Sequence, residues 1–475
     1  MNRRLRVDRQ VAEVIDRGLQ RIRTEFDLAD GFPTAVRAEA AALDADTRTA
    51  ASAVDRRDVE LRTLDPHGSR DLDQAFGIEW RDGGFRVHYA IADVAAAVRA
   101  EGPMDDEARE RGVTVYLPDD RVPLYPPELS EGHASLLPGQ DTPALLWTLD
   151  VDDDGELGGV HVERAVVVSR AQWDYRTVQA QLDAGAAHEQ LEALCAVGTV
   201  LAQQEVRRGG ISLNLADQEV TATDDGYRLR FDRSTPIEEH NARLSLLTGM
   251  AAAQIMLDGG VGLLRTLPPA PSDQLAQLRD VAATLGVVWA DDTSYAAWIA
   301  TIDPAAPQGV AVLTAALRTL RGAGYEAFTT RPATPPVHAA LAAPYAHVTA
   351  PLRRLADRFA NQIVLDLVAG RPVAAWACDA LEQLPALMTN ATQRAAAVDR
   401  AVHDLVEAAV LAPRLGDVFD AVAVRRSGEG TMIHLLDPAV VTVLADGGAS
   451  DLGAPLRVRL TAVDVDTATV TFARV

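Results

Sequence analysis

The stretch T-L-D-P-H-G-S-R-D-L-D-Q, residues 63–74, carries three carboxylates within nine residues: Asp65, Asp71 and Asp73. The residues between them include three turn formers, Pro66, Gly68 and Ser69, so the stretch is predicted to be a loop. Mg²⁺ takes octahedral oxygen coordination, usually shared with waters and substrate phosphate. Carboxylates on such a loop predict a magnesium site, although three acids at this spacing are expected roughly once by chance in so acidic a chain.

Six further blocks follow the loop along the chain. They read H-Y-A-I-A-D-V (88–94), D-D-E-A-R-E-R-G-V-T-V-Y-L-P-D (105–119), V-P-L-Y-P-P-E-L-S (122–130), S-L-L-P-G (135–139), P-Y-A-H-V-T-A-P-L-R-R-L-A-D (344–357) and R-A-A-A-V-D-R-A-V-H-D (394–404). Together with the loop, these blocks resemble the ribonuclease II (RNB) family in wording and in order. The resemblance spans about residues 55–410, and ordered blocks are far more specific than one short motif.

The resemblance implies an α+β multidomain protein. A mixed α/β RNB catalytic domain would carry a C-terminal OB-fold β-barrel and a small α-helical N-terminal domain. It also implies a magnesium-dependent, processive 3′-to-5′ exoribonuclease that hydrolyses RNA to nucleoside 5′-monophosphates, in RNA degradation or processing. Mg²⁺ is the expected cofactor, with Mn²⁺ as the alternative ion. The expected partner is single-stranded RNA with a free 3′ end, or structured RNA with a 3′ overhang.

Within that resemblance, Asp65, Asp71 and Asp73 match three of four family aspartates and are predicted metal ligands, with Asp71 and Asp73 also catalytic. Gln74 stands where the fourth aspartate would be, and its amide oxygen could still bind Mg²⁺, although more weakly. Arg353 matches a family arginine and is the predicted electrophilic group, because a guanidinium can bind a phosphate bidentately and stabilise its transition-state charge.

Five further residues are predicted to contact RNA: Tyr175, Arg354, His347, Thr349 and Asp399. Tyr175 matches a family aromatic that stacks on a base, and Asp399 matches a glutamate of the late helix. Without the resemblance, Tyr175 would more often be a core residue. The pair Arg353–Arg354 would more often be exposed to solvent, and the three aspartates would be acids of a surface turn.

Length, cysteine content and hydropathy limit the number of domains, the cysteine chemistry and the membrane association that are expected. The 475 residues suffice for two or three domains of about 150 residues each. The only cysteines, Cys195 and Cys378, form no C-x-x-C motif, so a zinc site and a disulfide framework are not expected. No apolar run approaches the ~20 residues that cross a bilayer, and residues 1–27 are too charged for a signal peptide. A cytoplasmic monomer without membrane contact is predicted.

The net charge of −23 disfavours a nucleic-acid partner at first sight, because phosphate binding depends on lysine and arginine. A groove needs positive potential only along its own length, however, and arginines are paired at 207–208, 353–354 and 425–426. An ordinary acidic enzyme with scattered arginines is the alternative.

Periodicity and the resemblance together imply three domains: a helical element at 1–54, for which a helix-turn-helix is one arrangement, the RNB catalytic domain at 55–412, and an S1-type OB barrel at 413–475. Apolar spacing predicts helices over 6–27 and 35–43. Strands with turns are predicted from 60 to 170, mostly helices from 176 to 410 with loops at 303–309 and 332–344, and five strands after Gly416.

Gln74 and Ala350, which stands where the family has serine, leave a second function open. A catalytically weak RNB-family protein could act as an RNA-binding regulator. An unrelated acidic metal-dependent hydrolase would have to produce all the ordered blocks by chance.

Overall fold

The computed structural model describes residues 9–43, 53–223, 226–427, 430–435, 437–444 and 452–475. Its helices are α1 (Arg9–Glu25), α2 (Thr34–Ala41), α3 (Val94–Ala97), α4 (Pro103–Arg111), α5 (Tyr175–Asp183), α6 (Glu189–Arg208), α7 (Pro236–Gly259), α8 (Ser272–Thr284), α9 (Tyr295–Ile299), α10 (Pro307–Ala316), α11 (Leu355–Val368), α12 (Ala375–Ala380) and α13 (Leu384–Leu411). Its strands are β1 (Val54–Asp55), β2 (Leu61–Asp65), β3 (Gln74–Arg81), β4 (Gly84–Ala92), β5 (Val115–Tyr116), β6 (Arg121–Val122), β7 (Asp141–Asp152), β8 (Leu157–Asp174), β9 (Asp217–Thr223), β10 (Gly226–Asp232), β11 (Gly262–Thr266), β12 (Gly324–Phe328), β13 (Val418–Ser427), β14 (Gly430–Leu435), β15 (Val440–Leu444), β16 (Pro455–Asp464) and β17 (Thr469–Arg474).

A six-stranded sheet in the order β1-β8-β2-β3-β4-β7 forms the centre of the catalytic part. The long strand β8 pairs antiparallel with β7 through its first half and parallel with β2 through its second half. The sheet therefore closes on itself. Its interior is filled by small and branched apolar side chains, including Leu61, Leu72, Ala90 and Val167, as expected for a narrow closed sheet.

Helices cover this sheet and position the late part of the chain. α6 packs against α7, and α7 packs against α11. Thr235 and Glu238 form a capping box at the start of α7, which satisfies two backbone N–H groups. Arg358 on α11 forms a buried ion pair with Asp105 on α4. Removing one partner of such a pair leaves a buried charge uncompensated, so the pair fixes α11 on α4.

The C-terminal strands form a separate five-stranded sheet in the order β15-β14-β13-β16-β17. Its inner face buries apolar residues at alternating positions, among them Phe419, Val458 and Phe472. The edge strands β15 and β17 contact one another, so the sheet nearly closes into a barrel. The five predicted strands and the predicted fold class are confirmed.

One prediction for the middle of the chain is wrong at its end, and another is incomplete. The loop predicted at 303–309 ends early, because α10 begins at Pro307, and proline is well suited to the first turn of a helix. The region from 176 to 410 is mostly helical, as predicted, but it also contains the hairpin β9–β10 and the antiparallel pair β11–β12, with α8–α10 between its two strands. Alternation of Tyr227, Leu229 and Phe231 is a strand signal that the helical interpretation overlooked.

The two N-terminal helices have separate packing partners. α1 buries Ile15, Leu19 and Ile22 and packs against α13, whereas α2 packs against α4. α1 and α2 thus each pack against a different later helix, which gives no support to a helix-turn-helix arrangement. Across the described ranges, no helix is both long and apolar enough to cross a membrane.

Candidate active site

The aspartate loop lies at one rim of the closed sheet, since Asp65 ends β2 and Gln74 begins β3. Leu72 anchors the loop: its side chain is fully buried in the sheet interior. Its N–H donates to Ser135 Oγ at 3.0 Å, and its carbonyl accepts from Leu136 N–H at 3.0 Å. The S-L-L-P-G block therefore holds the loop at Leu72 from inside the sheet.

Asp73 is paired with Arg353, 280 residues later in the chain. Arg353 Nε donates to Asp73 Oδ2 at 3.1 Å, and the Leu352 N–H donates to Asp73 Oδ1 at 2.8 Å. Burial raises the pKa of Asp73 to about 7, and the charge of Arg353 opposes that rise. Asp73 is only 2% exposed, whereas 47% of the Arg353 side chain is exposed. The guanidinium can therefore bind an anion on its open side while it contacts the carboxylate.

Asp357 holds the turn that presents Arg353. Its buried carboxylate accepts the Ala350 N–H at 2.7 Å, Arg354 Nη2 at 2.8 Å and Arg354 Nε at 3.1 Å. Ala350, where the resemblance expects serine, contributes its backbone N–H to this network. Arg354 is thereby neutralised by Asp357, and the charge of that carboxylate helps to raise the pKa of the guanidinium. Arg354 thus has a structural role in addition to its predicted contact with RNA.

The R-G-V-T part of the 105–119 block supports the same turn. Thr114 N–H donates to the Arg353 carbonyl, and Leu355 N–H donates to the Gly112 carbonyl, both at 3.0 Å. Gly112 has a φ of +71°, and a Cβ at this position would lie 2.4 Å from the Cβ of Ala391. A residue larger than glycine would therefore be strained at this junction.

Asp71 is held by groups that were not predicted from the sequence. Arg121 Nη1 donates to Asp71 Oδ1 at 2.7 Å, and the second Arg121 nitrogen pairs with Glu131 at 2.5 Å. The Tyr116 hydroxyl lies 3.5 Å from Asp71 Oδ2, and 52% of Tyr116 is exposed. Tyr116, Arg121 and Glu131, the partner of Arg121, lie in or beside the 105–119 and 122–130 blocks, so those blocks were the only sequence signal for this group of contacts.

Asp65 is the carboxylate best suited to a cation. Its Oδ2 is buried and has no hydrogen-bond partner among the described residues. Burial raises the pKa of Asp65 to about 7, against the opposing charge of Arg353. No three His, Cys, Asp or Glu side chains in the described part of the chain converge as a protein-only metal cage. Mg²⁺ commonly needs only one or two carboxylates plus water and phosphate, so this oxygen donor set fits it.

Gln74 links the aspartate loop to the arginine turn. Its side-chain Nε2 donates to the backbone carbonyl of Thr349. Thr349 is buried, and its described contribution to the site is this carbonyl. An aspartate at position 74 could not donate this hydrogen bond, which gives a structural reason for glutamine there.

Tyr175 and His347 are held by different partners. Tyr175 OH accepts a hydrogen bond from Asn241 Nδ2 at 2.9 Å, and burial raises its pKa to about 12. The same amide donates to the Leu64 carbonyl at 3.3 Å, beside Asp65. His347 Nδ1 lies 2.7 Å from the Tyr325 hydroxyl, and burial holds its pKa well below the usual value. His347 is therefore a neutral hydrogen-bonding group.

Asp399 is not brought into this cluster. Its side chain is 68% exposed and lies 3.5 Å from His403 Nδ1 on α13. It lines a cleft with β9 and β15 residues, including Gln218 and Val441. Its predicted contact with RNA stays a prediction.

Similarities to known proteins extend over most of the chain. The family model described as the RNB domain matches residues 54–370. The chain belongs to the RNB family. A second family model, described as the RNase II-type exonuclease C-terminal S1 domain, matches residues 417–475. The predicted family is therefore confirmed, and the nearly closed C-terminal sheet is the S1 domain of this RNB protein.

Ribonuclease R from Escherichia coli (strain K12) is 28% identical over 436 residues, which cover 86% of this chain and 53% of that protein. The chain thus spans about half the length of the curated relatives it matches. Structures of Mycoplasma genitalium RNase R in complex with ribose methylated single-stranded RNA and with double-stranded RNA each match 98% of this chain. Their TM-scores are 0.86 and 0.84, at 18% and 20% identity, and 78% and 84% of those chains are covered.

Yeast Ssd1, a pseudonuclease, has the same fold. It matches 88% of this chain and 54% of its own, with a TM-score of 0.69 and 15% identity. Similarity at this level shows the fold alone. Activity has to be argued from the side chains of the site.

Proposed function

We propose that this RNB-family chain is a 3′-to-5′ exoribonuclease that hydrolyses RNA processively to nucleoside 5′-monophosphates. The observation that carries the proposal is the contact between the buried carboxylate of Asp73 and the half-exposed guanidinium of Arg353. RNA hydrolysis places extra negative charge on a phosphate, and a preorganised guanidinium stabilises such charge most effectively. RNA degradation or processing would be the cellular role.

Each predicted residue has a role in this proposal. Hydrolysis adds a water oxygen to phosphorus and breaks the bond to the preceding 3′ oxygen, which leaves as a hydroxyl. Asp71 and Asp73 would position and polarise the attacking water, and Arg353 would hold the phosphate oxygens. Tyr175 would stack on a base near the 3′ end. Arg354, His347, Thr349 and Asp399 remain proposed RNA contacts, although Arg354 and Thr349 also have the structural bonds described above.

Mg²⁺ is the cofactor of this proposal, with Mn²⁺ as the alternative. Asp65 would be the principal ligand because its buried Oδ2 lacks a partner among the described residues. Asp71, Asp73 and the Gln74 side-chain oxygen stay proposed as further ligands, although the three carboxylates do not converge on one point in the described part of the chain. A bound ion of this kind lowers the pKa of a water and neutralises phosphate charge.

Gln74→Asp tests this ligand set. If residue 74 binds the ion, the added charge should lower the Mg²⁺ concentration for half-maximal rate by about tenfold. A titration of rate against Mg²⁺ measures the change, and thermal unfolding of the same variant reports the lost bond to Thr349. A lower melting temperature with an unchanged metal requirement would show that Gln74 only links the loop to the arginine turn.

The direction of degradation and the preference for RNA over DNA test the proposed exonuclease activity. Purified protein with Mg²⁺ should release mononucleotides from oligo(A) labelled at its 5′ end. An oligomer blocked by a 3′-phosphate should be degraded at least about tenfold more slowly, because it has no free 3′ end. An all-DNA oligomer should be slowed at least as much, because DNA lacks the 2′-hydroxyl. A hairpin with a 3′ tail, in the same set, tests structured RNA as substrate. Rapid cleavage of circular RNA would contradict an exonuclease.

A catalytically weak RNA-binding regulator is the second candidate. Gln74 and Ala350, which replace an aspartate and a serine expected from the resemblance, favour it. RNA binding without mononucleotide release in the assay above would select this candidate.

Three broader statements belong to the same proposal. The domains would be 1–54, 55–412 and 413–475. The protein would act as a monomer. It would act in the cytoplasm, where RNA substrates are available.

A further inference from the structure

The β5–β6 hairpin presents two side chains to the aspartate loop. Tyr116 and Arg121 lie directly opposite one another in its register, and residues paired in this way share one face. Arg121 Nη1 donates to Asp71 Oδ1 at 2.7 Å, and the Tyr116 hydroxyl lies 3.5 Å from Asp71 Oδ2. Both oxygens of Asp71 are thus contacted from one face of the hairpin, so the orientation of this carboxylate depends on where the hairpin lies.

The hairpin is too short to fix its own position. Each of its strands has two residues, and even longer two-stranded hairpins are marginally stable when isolated. Val115 and Leu117 are buried in a core cluster that also contains residues of α1 and α13. Apolar burial is not directional, so it does not by itself fix the turn at residues 117–120. The turn needs a directional contact from another element.

Arg23, in the last turn of α1, supplies such a contact. Its Nη2 donates to both carboxylate oxygens of Asp119, in the turn of the hairpin, at 2.9 Å each. The Arg23 side chain is only 10% exposed and that of Asp119 30%, so salt and water screen this pair less than a surface ion pair. In the described part of the chain, the hydrogen bonds that reach this turn from another element are those of Arg23.

α1 is itself held firmly. It packs along α13, and its Leu19 is fully buried. Gly18 allows a close approach of the two helices, since a Cβ at this position would lie 2.4 Å from Leu405 Cδ2. The Tyr227 hydroxyl donates to Asp16 Oδ1 at 2.7 Å and joins α1 to β10. α1 therefore gives Arg23 a fixed base from which to hold the hairpin.

We infer that Arg23 is a positioning residue for the active site: through Asp119 it fixes the β5–β6 hairpin, and the hairpin orients Asp71. The inference rests on the proposed function, in which Asp71 positions and polarises the attacking water. It gives the N-terminal helix a part in the reaction through two successive ion pairs, Arg23 with Asp119 and Arg121 with Asp71.

The test replaces Arg23 in the full chain with methionine, which keeps an unbranched apolar stem but removes the charge and the donors. On a short oligo(A), kcat should fall about tenfold, the lower end of the loss seen when a group that orients an active-site ligand is removed. KM should change by less than about twofold, since RNA does not bind through Arg23. Arg23→Lys keeps the charge and a donor, and it should recover most of the rate.

Arg21→Met is the matched control. Arg21 lies two residues earlier on α1 and pairs with Asp466, and both side chains are largely exposed. The variant removes the same charge from the same helix, and it should keep the wild-type kcat and KM because an exposed pair contributes little. A tenfold loss in this control as well would overturn the assignment to Arg23.

Asp119→Asn tests the pair as a pair. If both residues act through their contact, the double variant R23M/D119N should be no slower than the slower of the two single variants. Losses that multiply in the double variant would show that Arg23 acts by another route, and would overturn the inference.

Hydrogen exchange of the metal-free protein, without RNA, measures the hairpin independently of activity. In Arg23→Met, peptides that cover residues 115–122 should exchange at least about tenfold faster, while peptides of α13 keep the wild-type rate. Unchanged exchange at 115–122, or faster exchange along the whole chain, would overturn the inference. Asp119→Asn carries the same expectations if thermal unfolding shows that Arg23→Met does not fold. If the wild type releases no mononucleotides, the activity proposal fails, and the exchange rates still decide whether Arg23 fixes the hairpin.

Discussion

Asp73→Asn is expected to slow RNA hydrolysis by about 10³-fold, comparable with the loss of a principal electrostatic group in other active sites. The affinity for RNA should change little, because binding depends on arginines and stacking rather than on this buried carboxylate. Asparagine can still accept the Leu352 N–H, now 2.8 Å from Asp73 Oδ1. Single-turnover cleavage and fluorescence anisotropy, measured on the same preparation, separate the two quantities.

The control for that experiment is Asp153→Asn, which removes an equal charge from an exposed turn after β7. It should cleave and bind like the wild type. An Asp73→Asn protein that lost cleavage and binding in equal measure would argue against a role for Asp73 confined to the reaction.

Arg353→Ala is expected to lower kcat by about 10²–10³-fold, because it removes the guanidinium that faces the phosphate and leaves Asp73 without its ion-pair partner. Arg353→Lys should recover part of the rate, since it keeps the charge but cannot bind two phosphate oxygens at once. Steady-state kinetics on a short oligonucleotide give kcat and KM separately.

Arg331→Ala is the matched control. Arg331 is 58% exposed and pairs with Asp258 on the surface, so its loss should leave both constants near the wild-type values. If Arg353→Ala raised only KM, Arg353 would be a ground-state binding residue and not a stabiliser of the transition state.

Local sequence patterns were enough to predict the main helical and strand regions of this protein. Alternating residues after Gly416 predicted the strands β13–β17, and the turn formers around Asp65 predicted a loop at a strand end. The hairpin β9–β10 was missed although its alternation is visible, because the surrounding helices dominated the interpretation. Hydrophobic periodicity indicates which side chains of one helix or strand are buried, and it depends only on residues close together in sequence.

The partners within the site could not be predicted in the same way. Arg121 neutralises Asp71 and Gln74 donates to Thr349, and both contacts join segments far apart in sequence. Asp399 shows the converse, since its place in a sequence block did not bring its side chain to the aspartates. Such pairings depend on how β2, β3 and α11 pack together, and a single sequence does not record that packing.

The distance along the chain between Asp73 and Arg353 has a consequence during synthesis. The ribosome makes the aspartate loop early, but the guanidinium that faces it belongs to a segment made 280 residues later. A nascent chain that ends before this segment has its carboxylates but lacks their arginine. A nuclease made beside its own messenger RNA would therefore stay inactive for most of its translation, and would become able to cut only when nearly complete.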